Sequence, residues 1–200
     1  ELQAVGYLSG YRPATELKGV TVNMDGLAFD GLNFVVSGHA AEARLMDMNG
    51  NTVHEWHCEF ETVWPDRYKE ANERGAEYWF RAHLFENGDI IGFYNDLGLV
   101  KLDKDSNIIW RYKGGAHHDL HVDDDGRIYV ITFDERIDPR IHAGKDVLED
   151  AVTILDPEGR ELHRISLLEA FWNSDYASWL HTGVVNHSRR KIDVFHTNRI

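Results

Sequence analysis

Arg44-Leu-Met-Asp47-Met-Asn-Gly50-Asn-Thr-Val-His54-Glu-Trp56 returns as Val100-Lys-Leu-Asp103-Lys-Asp-Ser106-Asn-Ile-Ile-Trp110-Arg-Tyr112, and again as Thr153-Ile-Leu-Asp156-Pro-Glu-Gly159-Arg-Glu-Leu-His163-Arg-Ile165. Each copy runs apolar, x, apolar, Asp, a short polar turn with Gly or Ser, then an alternating segment. Seven residues past the Asp stands a ring: His54, Trp110 or His163. The Asp-to-Asp steps are 56 and 53 residues, in the range of stacked four-stranded units. Such a period predicts an all-β chain of β-propeller blades, a fold whose function sits where the blades converge on a central channel.

Working outward, residues 1–30 carry no copy of the repeat and read as an N-terminal extension, with a helical turn in 1–7 and extended chain over 11–22. Residues 31–200 read as a partial propeller, with blades at about 31–62, 80–114 and 117–166 and a fourth beginning near 193. The second blade has a clear inner hairpin: Ala82–Glu86, the turn Asn87-Gly88, then Ile90–Tyr94. The third repeats it as His118–Val122, Asp125-Gly126 and Ile128–Phe133, and aligning the two turns sets His83 opposite His121. Pro65–Tyr78 reads as a short helical insertion, Asp134–Asp150 as a polar insertion, and Leu167–Trp179 as helical. Trp56, Trp110 and Tyr112 read as packing between blades. Three blades and the start of a fourth do not close a ring of four to eight, so the chain is expected to be part of a longer protein or a half-ring completed by another chain.

With 42% hydrophobic residues and 12% aromatics the chain can bury a core. A net charge of −13 argues against nucleic acid or anionic membrane as the main partner, and no apolar run approaches the roughly 20 residues of a membrane span. The single cysteine, Cys58, excludes an internal disulfide and any cysteine-built zinc site; in a strand it reads as a buried, inert thiol.

Chemistry concentrates in His117-His118-Asp119-Leu120-His121 at the start of an inner strand. Strand alternation predicts that His117, Asp119 and His121 share one face and His118 takes the other. Imidazole titrates in the working range and serves as base, nucleophile or ligand. Asp193-Val-Phe-His196-Thr-Asn198 is expected to open the next inner strand at the equivalent place, so that His118 and His196 approach one axis. A zinc site on His117, Asp119 and His121 is disfavoured, because an i, i+2, i+4 row spans about 13 Å; two of them with His196 would be needed. No metal and no cofactor is expected. The Asp-rich turns at 103–107 and 123–126 lack the frame of a calcium loop and read as hairpin turns.

Gly115-Ala-His117-His118-Asp119 before Gly126, the Asp-x-x-Gly-x-x-x-Trp/His blade ends and Asp193-x-x-His196-x-Asn198 together resemble the arylsulfotransferase family over residues 30–200. That resemblance implies a six-bladed propeller that moves a sulfuryl group from an aryl sulfate to a phenol through a covalently sulfated histidine, without a nucleotide donor. It implies that His118 and His196 act as charge stabilisers or proton donors at the sulfate, with His117, Asp119, His121 and Asn198 at the substrate. The family's arginine and sulfated histidine come later in the chain, so activity is expected to need further C-terminal blades. Arg199 stands where the family more often has a small residue. The expected partners are a small phenol or aryl sulfate, together with other subunits or a second half-propeller. The expected setting is periplasmic or extracellular, although no signal peptide is visible. A non-catalytic propeller serving as a binding or assembly subunit is the alternative, and a metal hydrolase centred on His117–His121 is a weaker one.

Overall fold

The computed structural model describes residues 16–17, 19–24, 26–67, 73–181 and 191–200; the helical turn expected in 1–7 lies outside them. The chain is mainly β, arranged as three consecutive antiparallel sheets, none of which closes on itself. The first holds β1 (Asn33–Val36), β2 (Glu42–Met46) and β3 (Thr52–His57); the second β4 (Arg81–Leu84), β5 (Ile90–Tyr94), β6 (Gly98–Leu102) and β7 (Ile108–Tyr112). The third runs through β8 (Gly115–Val122), β9 (Ile128–Ile137), β10 (Asp146–Leu155) and β11 (Glu161–Ser166).

The repeat turn has one physical design. Asp47, Asp103 and Asp156 lie between the last two strands of their sheets, and each Oδ1 accepts the amides two and four residues on at 2.8–3.0 Å. The carboxylate thereby satisfies donors that the reversing chain would leave bare. Three residues past the Asp the backbone turns left-handed, at Gly50 (φ 84°), Ser106 (φ 64°) and Gly159 (φ 78°), which is why Gly recurs there. Asp123 and Gly126 build the same turn in the third sheet's inner hairpin.

The ring seven residues on joins one sheet to the next. His54 Nε2 bonds the Lys104 carbonyl at 2.7 Å and Trp110 Nε1 donates to the Pro157 carbonyl at 3.0 Å; both acceptors directly follow the turn Asp of the next sheet. Trp56 donates to Gly88 O at 3.0 Å. At Met48, the matching carbonyl of the first sheet, the donor is Asn23 of the N-terminal segment, at 3.2 Å.

Packing follows from which faces are apolar. β5, Ile-Ile-Gly-Phe-Tyr, is buried throughout: Ile90 and Tyr94 pack with Trp56 toward the first sheet, while Ile91 and Phe93 pack with Ala116, Ile128, Val130 and Leu155 toward the third. Gly92 is required there, because a Cβ would lie 2.4 Å from the Trp79 indole. The first sheet's other face is polar: Arg44 and Glu42 stand where β6 has Val100 and Gly98 and β10 has Thr153 and Ala151. Cys58 is 5% exposed, and burial, with Glu59 beside it, pushes its thiol up to about 11.

Several expectations need correction. The polar stretch 134–150 is mostly strand: β9 and β10 pair out to Ile137 and Asp146, leaving a loop in which Arg140 bonds Asp138. Among the described residues helix is confined to α1 (Phe60–Val63), α2 (Glu73–Ala76), α3 (Leu167–Trp172) and a 3-10 helix at Ala177–His181. Ser166 caps α3 through Glu169 N. Residues 194–200 form no inner strand; only β12 (Ile192–Asp193) pairs, and it does so parallel to β10 at Val147 and Leu148. Among the described residues no helix is long and apolar enough to cross a membrane.

Candidate functional site

The histidine cluster is shaped by a bulge in β8. Pairing with β9 runs regularly at Gly115 and Ala116, breaks, and resumes at Leu120. His118 sits at φ 62° inside the break, which cancels the alternation expected for 117–121. His117 turns into the protein against Phe133, with ring centroids 5.3 Å apart, and its Nε2 lies 3.4 Å from Asp150 Oδ1 without the alignment of a hydrogen bond. His118 points to the open side, beside Phe80. Asp119 is buried and faces Arg81 at 3.2 Å, and His121 is exposed near Tyr129. The five-residue motif therefore divides between two neighbouring places.

His196 comes to His118 from the C-terminal segment, with ring centroids 5.0 Å apart. Asp193 accepts both the His196 amide, at 3.0 Å, and its Nδ1, at 2.5 Å. Because a carboxylate only accepts, Nδ1 carries the proton and Nε2 is left for another partner. Asp150 Oδ2 takes the Thr197 amide at 2.8 Å and Asp119 Oδ2 the Ile200 amide at 3.3 Å, so two buried carboxylates pin this segment along β8. Asn198 spends its side-chain amide on the His196 carbonyl at 2.7 Å.

Four non-glycine residues are left-handed among those described, and three of them, Asp96, His118 and His196, meet here. Left-handed backbone in such residues costs roughly 1–3 kcal/mol each and gathers at functional sites. Asn95 and Asp96 follow β5: Asn95 Oδ1 accepts the His118 amide at 3.1 Å, and the Asp96 amide donates to Ala116 O at 2.7 Å. These bonds hold the bulge open.

Burial raises Asp96 above the usual carboxylate range, against the pull of His117, His118 and His196. Burial, then the neighbouring imidazoles of His117 and His196, hold His118 below the ordinary imidazole value, with Asp96 and Asp150 opposing. Burial also works to raise Asp150, but His117 and the Thr197 amide outweigh it and leave it lowered. His118 is thus neutral near pH 7, and its ring nitrogens bond no other described residue. Among the described residues no group of three or more His, Cys, Asp or Glu is arranged to hold a metal ion.

Sequence reasoning missed Asn95, Asp96 and Asp150. The pair Asn95-Asp96 closes a buried strand where a hairpin turn already accounts for Asn and Asp, and Asp150 was absorbed in an apparent insertion. No protein-family model matches the chain, and no curated protein is measurably similar to it. Function is therefore argued from the site itself.

Proposed function

We propose that this chain carries part of the site of an arylsulfotransferase-like propeller, which moves a sulfuryl group from an aryl sulfate to a phenol. The observation that carries the proposal is the approach of His118 and His196, two imidazoles 5.0 Å apart on strained backbone, each with nitrogen free for a substrate. Over the two half-reactions Nε2 of His196, its Nδ1–H held by Asp193, takes the proton of the acceptor hydroxyl as that oxygen attacks the sulfated histidine and gives it to the departing phenolate of the next turnover. Neutral His118 donates to a sulfuryl oxygen as charge grows there. The three sheets serve as blades, and the third presents a matching face to a further sheet: His163 and Ile165 are exposed where Trp110 and Tyr112 dock. That same exposed face favours the second reading, a binding or assembly subunit.

The resemblance puts the sulfated histidine and its arginine in later repeats, so turnover is measured on protein that includes them. With p-nitrophenyl sulfate as donor and phenol as acceptor, His118→Ala or His196→Ala should lower turnover by about 10² or more. Full activity in either variant removes that histidine from the site, and chelator should leave the rate unchanged.

A further inference from the structure

Beside the histidine pair, on the other side of the β8 bulge, lies an open cleft of about 410 Å³ lined by Arg81, Asp119, Leu120, His121, Arg199 and Ile200. In a chain of net charge −13 this is an unusual grouping: two guanidinium groups, an exposed imidazole and one carboxylate. Buried Asp119 holds one nitrogen of Arg81 at 3.2 Å, which fixes the guanidinium at the cleft while leaving its other donors for a ligand. Arg199 is exposed and makes no hydrogen bond or ion pair with any described residue. His83 feels the same positive surroundings: burial first, then His121 and Lys101, hold it below the ordinary imidazole value.

We propose that Arg81, His121 and Arg199 bind a carboxylate on the aromatic substrate whose reacting oxygen lies at His118 and His196. Asp119 directly follows His118 and Arg199 stands three residues past His196, so the cleft adjoins the histidine pair along both segments. A planar guanidinium suits a carboxylate because it offers two parallel donors. Only the identity of the aromatic partner rests on the sulfuryl-transfer proposal; the carboxylate site does not.

Phenol and 4-hydroxybenzoate differ only by the carboxylate, so they are titrated against the full chain at 150 mM salt, with calorimetry and the His121 ring resonances as readouts. The expected result is about tenfold or more tighter binding of 4-hydroxybenzoate, on the scale of one charge-assisted bond, with His121 shifting. Arg199→Gln, a change at an exposed and unpaired side chain, should erase the preference, and Arg81→Gln should weaken it. Equal affinity for the two probes, or a preference that survives both substitutions, overturns the proposal. A failure of sulfuryl transfer would instead show as an absent response of His118 to p-nitrophenyl sulfate while His121 still answered 4-hydroxybenzoate.

Discussion

Gly159→Ala isolates the contact that joins the second sheet to the third. The residue has φ 78°, and a Cβ there would lie 2.6 Å from Cδ2 of the Trp110 indole. Left-handed backbone costs alanine about 1–2 kcal/mol, and Ser106 at the same turn position shows that this cost is tolerated. The indole cannot swing aside cheaply, because its Nε1 is tied to Pro157 O at 3.0 Å; forcing a methyl against it adds about 1–3 kcal/mol. The expected loss is about 2–5 kcal/mol, or roughly 1–2 M in the urea midpoint. Gly126→Ala is the control: it has the same φ of 78°, but its Cβ would meet only the Pro157 ring, at 3.3 Å, so about 1–2 kcal/mol is expected. In a Trp110→Ala background the Gly159→Ala cost should fall to the control value, a coupling of about 1–3 kcal/mol. Equal costs at 159 and 126, or a cost at 159 indifferent to Trp110, would refute the inter-sheet role of the ring.

Other expectations follow from the buried groups. His118 titrates lower folded than unfolded, so as pH falls through about 6.5 the unfolded chain binds the proton first; stability should be full above that pH and decline below it, and urea midpoints of the parent and His118→Gln should show a smaller decline in the variant. Cys58, buried with its thiol pushed up to about 11, should resist a disulfide reagent in the native protein and react at once in urea; rapid native labelling would place it on the surface.

The repeat was legible because every part of it is local. An Asp that accepts two nearby amides, a left-handed Gly three residues on and a ring at a set distance are written within a dozen residues. His118 and His196 were expected to meet on equivalent inner strands; the rings do lie 5.0 Å apart, but His196 arrives on a segment that forms no such strand. What was not legible depends on partners far along the chain. The bulge at 117–119 is held by Asn95 from another sheet, so alternation alone misassigned the faces. Polarity through 134–150 read as a loop, yet β9 and β10 keep pairing through it, with Val147 and Asp150 buried on β10. Residues 194–200 look like a strand in composition, yet Asp193, Asp150 and Asp119 capture their amides one by one and draw them along β8 without a ladder. The polar face of the first sheet was present in Glu42 and Arg44, and aligning them with Val100 and Ala151 would have exposed it.

The central claim is that His118 and His196 share one sulfate group, and imidazole resonances followed while p-nitrophenyl sulfate is titrated into this chain test it most directly. Both rings should move along one binding curve, and His118→Ala should abolish the response of His196. Two rings that respond with different affinities, or a His196 response untouched by loss of His118, would contradict it.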